Sequence, residues 1–79
     1  MTIAYVLINC DLVYEEQIIE DLKHLSDVKE VNGTFGAYDI LAKVESATVE
    51  TLRKTIMWKI RKMGRVRSTL TLMGIESQE

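Results

Sequence analysis

Residues 28–45 read VKEVNGTFGAYDILAKVE, and this stretch decides the fold because it holds two strand-like runs on either side of a turn. The runs cover residues 28–35 and 38–45, and the second alternates apolar and polar side chains with the period of a strand. Asn32-Gly33 is a dipeptide that favours a two-residue hairpin turn. A turn at Gly36-Ala37 leaves longer, better matched strands instead, but it places Gly33 inside a strand, where glycine lowers stability or marks a bulge.

Four further segments, on both sides of this stretch, have the pattern of regular structure. Residues 3–10 (IAYVLINC) and 66–74 are rich in β-branched, aromatic and other apolar side chains and predict strands. Apolar residues at helical spacing predict helices over residues 15–25 and 48–63. The order is therefore β-α-β-β-α-β. Since strand–helix–strand crossovers are right-handed, both helices cover one face of a four-stranded antiparallel sheet, which is a ferredoxin-like α+β fold.

The second predicted helix has a clear apolar side and is followed by a glycine. On a helical wheel its core stripe consists of Val49, Leu52, Ile56, Ile60 and Met63. Trp58 lies on the opposite side, where two interpretations stay open. Its ring either packs on the side chains of Lys54 and Lys62 or contacts another subunit. Gly64 follows the helix and is predicted to take the left-handed conformation that ends many helices.

Both faces of the first strand are largely apolar. Alternate residues from Ala4 to Cys10 point one way, whereas Tyr5 and Leu7 point the other way. Because two helices cover only one face, Tyr5, Leu7 and Met73 are predicted to form a second apolar face that needs a partner subunit. A domain of 79 residues also has a marginal core of its own, which favours a partner. The alternative is an exposed sheet of mixed polarity.

Composition narrows the functional classes. The chain reads as one domain over residues 1–79, and its single cysteine and single histidine predict no internal disulfide and no zinc site. The sequence has no glycine loop of the kind that binds phosphate groups, and we expect no cofactor. No nucleophile has a base partner in the pattern, so an enzyme is not expected. The net charge of −2 predicts no direct binding of nucleic acid, although most bases follow residue 50. No apolar run has the length of a membrane span or the context of a signal peptide, so we expect no membrane partner and a cytoplasmic location.

Two polar groups are candidates for binding a ligand. In the turn, Gly36 lets backbone amides approach a ligand closely, Tyr38 offers a hydroxyl, and Asp39 can accept a hydrogen bond from an ammonium group. On the last strand, Thr69 and Thr71 add a row of hydroxyls. The structural alternative is ordinary, since turns favour glycine and aspartate and strands favour threonine.

The chain resembles the stand-alone form of the effector-binding (RAM) domain of the Lrp/AsnC regulator family. The resemblance rests on AYVLINCD, on VKEVNGTFGAYDILAKVE with its Gly-x-Tyr-Asp turn, and on VRSTLTLM with its Val-x-x-Thr-x-Thr pattern. It favours the turn at Gly36-Ala37. The loop at residues 11–14 departs from the glutamate-proline-glycine type common in stand-alone members.

The resemblance implies a homo-oligomer, with dimers formed through the sheets and assembled into a ring of dimers. It implies an amino acid or related small metabolite bound in the clefts between dimers, with Gly36, Tyr38, Asp39, Thr69 and Thr71 as ligand-binding residues. We therefore expect an effector-binding and oligomerisation module that regulates transcription of amino-acid metabolism without its own DNA-binding domain. A full-length Lrp/AsnC regulator is a further implied partner. The alternatives are a purely structural assembly domain and a small dimeric α+β-barrel enzyme.

Overall fold

The computed structural model describes residues 1–34 and 36–74. The strands are β1 (Thr2–Cys10), β2 (Val28–Gly33), β3 (Ile40–Ser46) and β4 (Val66–Met73). A short 3-10 turn (Leu12–Tyr14) precedes α1 (Glu15–Lys23), and α2 (Val49–Lys54) continues directly into a π-helical segment (Thr55–Ile60). The sheet is antiparallel with strand order β2-β3-β1-β4. The ferredoxin-like fold is therefore confirmed. No helix in the described part of the chain is long and apolar enough to cross a membrane.

The core lies between the sheet and the two helices. Ala4, Val6 and Ile8 on β1 are fully buried, as are Leu22 on α1 and Leu52 on α2. The residues of β3 that follow the same alternation, Ile40, Ala42 and Val44, are fully buried as well. The predicted inner face of β1 is thus confirmed, and the residues of β3 that pair with it belong to the same buried cluster.

The second helix starts as predicted and then departs from regular α geometry. Thr48 caps it, since its hydroxyl oxygen accepts a hydrogen bond from the Thr51 amide at 3.1 Å. Within the π-helical segment the Arg61 amide donates to the Ile56 carbonyl, five residues back, at 2.9 Å. The core stripe holds from Leu52 onward, but Val49 is wrongly assigned to it and is 43% exposed. Val49 is the first residue of α2, so no preceding turn of the helix covers its side chain.

The residue that turns left-handed after this helix is Arg65, with φ 76°, and not Gly64 as predicted. Tertiary contacts offset the cost of that conformation. The Arg65 carbonyl accepts a hydrogen bond from the Asp11 amide at 3.4 Å, and the Arg65 guanidinium carbon lies 4.4 Å from the centre of the Tyr14 ring.

The face of the sheet away from the helices, here called the outer face, is apolar along β1 and β4. Directly paired residues share a face, and Tyr5 pairs with Leu72 while Leu7 pairs with Leu70. Leu70 and Leu72 are 44% and 51% exposed. The prediction from the sequence that Met73 lies on this face is wrong. Met73 pairs with buried Ala4 and therefore lies on the helix side, as do Thr69 and Thr71 through their pairs on β1.

Candidate functional site

The turn between β2 and β3 lies at residues 34–39. The ladder ends with Gly33 opposite Ile40, and the Thr34 amide donates to the Asp39 carbonyl at 2.9 Å. Gly36 has φ 118°, a conformation that side chains with a Cβ rarely adopt. The turn at Gly36-Ala37 is therefore correct and Asn32-Gly33 is not the hairpin turn. Of the predicted strand over residues 28–35, the last residue, Phe35, lies outside the described residues.

Gly33 ends β2 without marking a bulge, because the register of β2 shifts earlier, between Val28 and Glu30. A Cβ on Gly33 would lie 3.4 Å from a carboxylate oxygen of Glu15. At that distance a Cβ would be in ordinary contact with the end of a flexible side chain, so packing does not require glycine at this position.

Asp39 ties the turn to the end of β1. Its carboxylate Oδ2 accepts a hydrogen bond from the Cys10 amide at 3.0 Å, and its own amide donates to the Ile8 carbonyl at 3.0 Å. Burial raises the pKa of the Cys10 thiol, and the nearby Asp39 and Glu15 carboxylates raise it further. The thiol therefore stays protonated near neutral pH, which is the opposite of what a nucleophilic cysteine needs.

The turn forms one wall of a cleft of about 510 Å³, here called the turn cleft. Its wall carries two carboxylates, Glu15 and Asp39, and its lining is completed by Leu12, Gly33, Thr34 and Gly36. A pair of carboxylates beside exposed backbone suits an ammonium group or another small cation.

A second concavity of about 490 Å³ runs between α2 with its π-helical segment and β4, and is here called the α2–β4 groove. Thr69 and Thr71 line it from the strand, together with Leu70 and Met73. From the helix side it is lined by Arg53, Ile56, Met57 and Arg61. Its charge is opposite to that of the turn cleft.

The predicted site residues thus fall into two groups. Gly36 and Asp39 line the turn cleft, Thr69 and Thr71 line the α2–β4 groove, and Tyr38 lines neither. Strands β3 and β4 lie on opposite sides of β1. Two strand spacings amount to about 10 Å, so within one chain the two groups do not meet around one small ligand.

Sequence reasoning missed Glu15 in the turn cleft and Arg53 and Arg61 in the groove. Glu15 could have been identified from the sequence, because it is a charged residue in the first turn of a helix that follows a strand and a short loop. The two arginines carry no such signal in their spacing, because the π-helical segment between them breaks the constant rotation per residue on which helical spacing depends.

Two further side chains from the basic second half of the chain have partners within the structure. Arg67 forms an ion pair with Asp11 in the loop after β1. Trp58 is 61% exposed, and the Lys62 ammonium lies 4.1 Å from the centre of its ring, so Lys62 rather than Lys54 supplies the cation–π contact. Whether Trp58 also contacts another subunit stays a prediction. Within residues 1–34 and 36–74, no three His, Cys, Asp or Glu side chains are grouped so as to hold a metal ion.

Comparison with known proteins identifies the domain type. A family model described as the Lrp/AsnC ligand binding domain matches residues 3–77. An uncharacterized HTH-type transcriptional regulator of Pyrococcus furiosus, PF0250, is 32% identical over 76 residues, which cover 92% of this chain and 51% of that protein. The chain therefore spans about half the length of this curated relative.

Solved structures have the same architecture over nearly the whole chain. FFRP-DM1 is 35% identical with a TM-score of 0.92, and the alignment covers 95% of this chain and 100% of that one. Hypothetical protein PHS023 from Pyrococcus horikoshii is also 35% identical, with a TM-score of 0.90 and coverage of 95% and 90%. Transcriptional regulator NMB0573 from Neisseria meningitidis, solved as an L-Met complex, is 9% identical with a TM-score of 0.84 over 94% of this chain and 49% of that one, a likeness of fold alone.

The match of the family model over residues 3–77 agrees with the sheet order, the helices and the turn described above. The chain belongs to the Lrp/AsnC ligand-binding domain family.

Proposed function

We propose that this domain binds an amino acid or a closely related small metabolite and assembles as a homo-oligomer, through which it regulates transcription. The turn cleft is the observation that carries the proposal. It combines the carboxylates of Glu15 and Asp39 with the open backbone at Gly36, and this combination suits the ammonium end of an amino acid. The L-Met complex of the Neisseria meningitidis regulator supports an amino acid as the class of ligand.

The separation of the two groups of predicted residues supports a site that two chains complete. Gly36, Tyr38 and Asp39 would contact the effector from one chain, and Thr69 and Thr71 from another. This arrangement agrees with the effector position between dimers that the family resemblance implies. Tyr38, which lines neither concavity within one chain, would then be available at the contact between chains.

The outer face supports assembly through the sheets. Tyr5, Leu7, Leu70 and Leu72 form an apolar surface on two adjacent strands, and three of them are at least 39% exposed in the single chain. Scattered exposed leucines are common, but a contiguous apolar surface on one sheet face is typical of a protein interface. We propose that a second copy covers this face, and that co-assembly with a full-length regulator of the family carries the signal to DNA.

A thermal-shift screen against the twenty amino acids tests effector binding. A ligand at a hundred times its dissociation constant adds about 2.7 kcal/mol of stability. In a domain of this size that corresponds to a rise in Tm of about 10 °C or more. If no amino acid raises the Tm, the effector proposal fails and a purely structural assembly domain is the better interpretation.

Two adjacent glutamates provide a matched pair of variants. Glu15→Gln removes a carboxylate from the turn cleft, whereas Glu16→Gln makes the same change on an exposed residue that does not line it. We expect the amino-acid response to weaken in Glu15→Gln and to persist in Glu16→Gln. Asp39→Asn should weaken it as well, and its amide oxygen can still accept the hydrogen bond from Cys10. Equal responses in all three variants would place the ligand elsewhere.

A further inference from the structure

The turn cleft and the α2–β4 groove carry opposite charges that stay unpaired within one chain. The turn cleft has the Glu15 and Asp39 carboxylates in its lining and no basic side chain among its described residues. The groove has Arg53 and Arg61 and no acidic side chain among its described residues. In the described part of the chain none of these four side chains forms an ion pair. Each concavity therefore presents charge of one sign to a ligand.

This division of charge bears on the site that two chains complete in the proposed function. There the turn cleft of one chain and Thr69 and Thr71 of another contact the same effector. Thr69 and Thr71 line the α2–β4 groove, so the arginines that line it with them come to the same effector. An amino acid is a zwitterion, with an ammonium group that suits carboxylates and a carboxylate that suits a guanidinium group. Its two charged groups thus match one concavity from each chain.

Arg61 is the better placed of the two arginines. It lines the groove together with Thr69, and the same two residues line a neighbouring concavity of about 240 Å³ at the start of β4, which Arg53 does not line. Its position is set by the π-helical segment, since its amide donates to the carbonyl of buried Ile56 at 2.9 Å. Arg61 is exposed and Thr69 is half-buried, so a ligand carboxylate can contact both the guanidinium group and the hydroxyl.

We propose that Arg61 of a second chain binds the carboxylate of the effector whose ammonium group lies in the turn cleft of the first chain. This inference rests on the proposed function and adds to it the residue that recognises the acid group. The guanidinium group forms paired hydrogen bonds with the carboxylate, and the Thr69 hydroxyl donates one more. One chain alone does not hold both groups, because β3 and β4 lie on opposite sides of β1, about 10 Å apart.

The carboxamide of an amino acid tests the recognition of the acid group. It keeps the ammonium group for Glu15 and Asp39 but offers Arg61 only a neutral oxygen. Each amino acid that raises the Tm of the unmodified chain is therefore compared with its own carboxamide by calorimetric titration, for example L-methionine with L-methioninamide. We expect the carboxamide to bind about tenfold more weakly. Equal affinities would overturn the proposal, because the carboxylate would then have no charged partner.

Variants at Arg61 locate that partner. Arg61→Gln should weaken the amino acid about tenfold and bring it close to its carboxamide in affinity, whereas Arg61→Lys keeps the charge and should recover part of the loss. Lys59→Gln is the matched control, since Lys59 is an exposed base that lines neither the turn cleft nor the groove. Unchanged affinity in Arg61→Gln, or an equal loss in Lys59→Gln, would overturn the role of Arg61.

Mixed assemblies test whether the two charges come from different chains. Glu15→Gln and Arg61→Gln chains are co-expressed with two different affinity tags and purified on both. Random mixing combines an intact turn cleft with an intact groove in about one site in four. We expect binding as tight as that of the unmodified chain to return in about that fraction of sites. If both residues acted within one chain, every site would keep one changed residue, and the absence of tight sites would overturn the proposal.

A second mixture is the control for that experiment. Glu15→Gln chains mixed with the double variant Glu15→Gln/Arg61→Gln contain no unmodified turn cleft, so no tight site should appear. Tight binding in this mixture would remove Glu15 from the site and would overturn the pairing of charges.

The response of the unmodified chain separates a failure of the effector proposal from a failure of the role of Arg61. If no amino acid raises the Tm of the unmodified chain, both fail. If an amino acid raises it, and Glu15→Gln weakens that response while Arg61→Gln does not, the effector proposal stands and the role of Arg61 fails.

Discussion

Removing one leucine side chain from the outer face should weaken self-association. The loss in free energy of association should follow from the fraction of that side chain that is exposed in the single chain. Leu70 is 44% exposed in the single chain and lies beside Leu7 on β1. Full burial of a leucine side chain is worth about 1.5–3 kcal/mol, so covering the remaining exposed part contributes about 1 kcal/mol. In a twofold dimer the residue occurs twice, and Leu70→Ser should therefore cost about 2 kcal/mol, or about 30-fold in the dimer Kd.

Leu72 is 51% exposed on the same face, so the double variant Leu70→Ser with Leu72→Ser should lose about 4 kcal/mol, close to a thousandfold in Kd. Sedimentation equilibrium over a range of concentrations measures this directly against the monomer mass of 9.1 kDa. Val49→Ser is a matched control, because Val49 is 43% exposed but lies at the start of α2.

Two results would refute this reasoning. One is a folded 9.1 kDa species at micromolar concentration in the unmodified chain, which would leave the outer face without a partner copy. The other is an equal change in Kd for Leu70→Ser and Val49→Ser, which would mean that the loss does not come from the outer face.

Three further predictions concern single contacts. Thr55→Val should lower the free energy of urea unfolding by about 1.5–3 kcal/mol, since the buried hydroxyl donates to the Asp27 carboxylate at 2.7 Å; an unchanged unfolding midpoint would argue against that bond. Because burial and neighbouring carboxylates raise the Cys10 pKa, its alkylation should be slower than that of free cysteine at pH 8 and should accelerate above it; a rate equal to free cysteine would contradict the raised pKa. Trp58 emission should shift to shorter wavelength on assembly only if a second chain covers the ring. In the dissociated chain, Lys62→Ala should change the emission, because the Lys62 ammonium lies over that ring.

Periodicity located the elements of the fold because each one carries a repeat of its own. The buried alternation of β1 and β3 and the stripe from Leu52 to Ile60 are such local patterns. The register between strands is not local. Met73 was assigned to the wrong face because nothing in β4 by itself reveals that Leu70 lies opposite Leu7, and a shift of one residue exchanges the two faces.

The candidate site was only partly predictable for the same reason. Gly36 and Asp39 lie in one short motif, and the turn they predict is confirmed. Glu15 reaches the turn cleft from α1, and Arg53 reaches the groove from α2, so their neighbours are set by tertiary packing. The π-helical segment is another such feature, because an i to i+5 bond leaves no simple mark in the order of residues.

The hydrogen bond from the Cys10 amide to Asp39 makes the turn cleft observable from a single backbone position. Cys10 lies where the register between β1 and β4 shifts, so its amide is held by a side chain. A cation that attracts the Asp39 carboxylate would lengthen this bond and move the amide proton resonance of Cys10 upfield. In a nitrogen-15 correlation spectrum that one peak would report occupancy of the cleft, and its neighbour across the shift, Asn9, would serve as an internal reference.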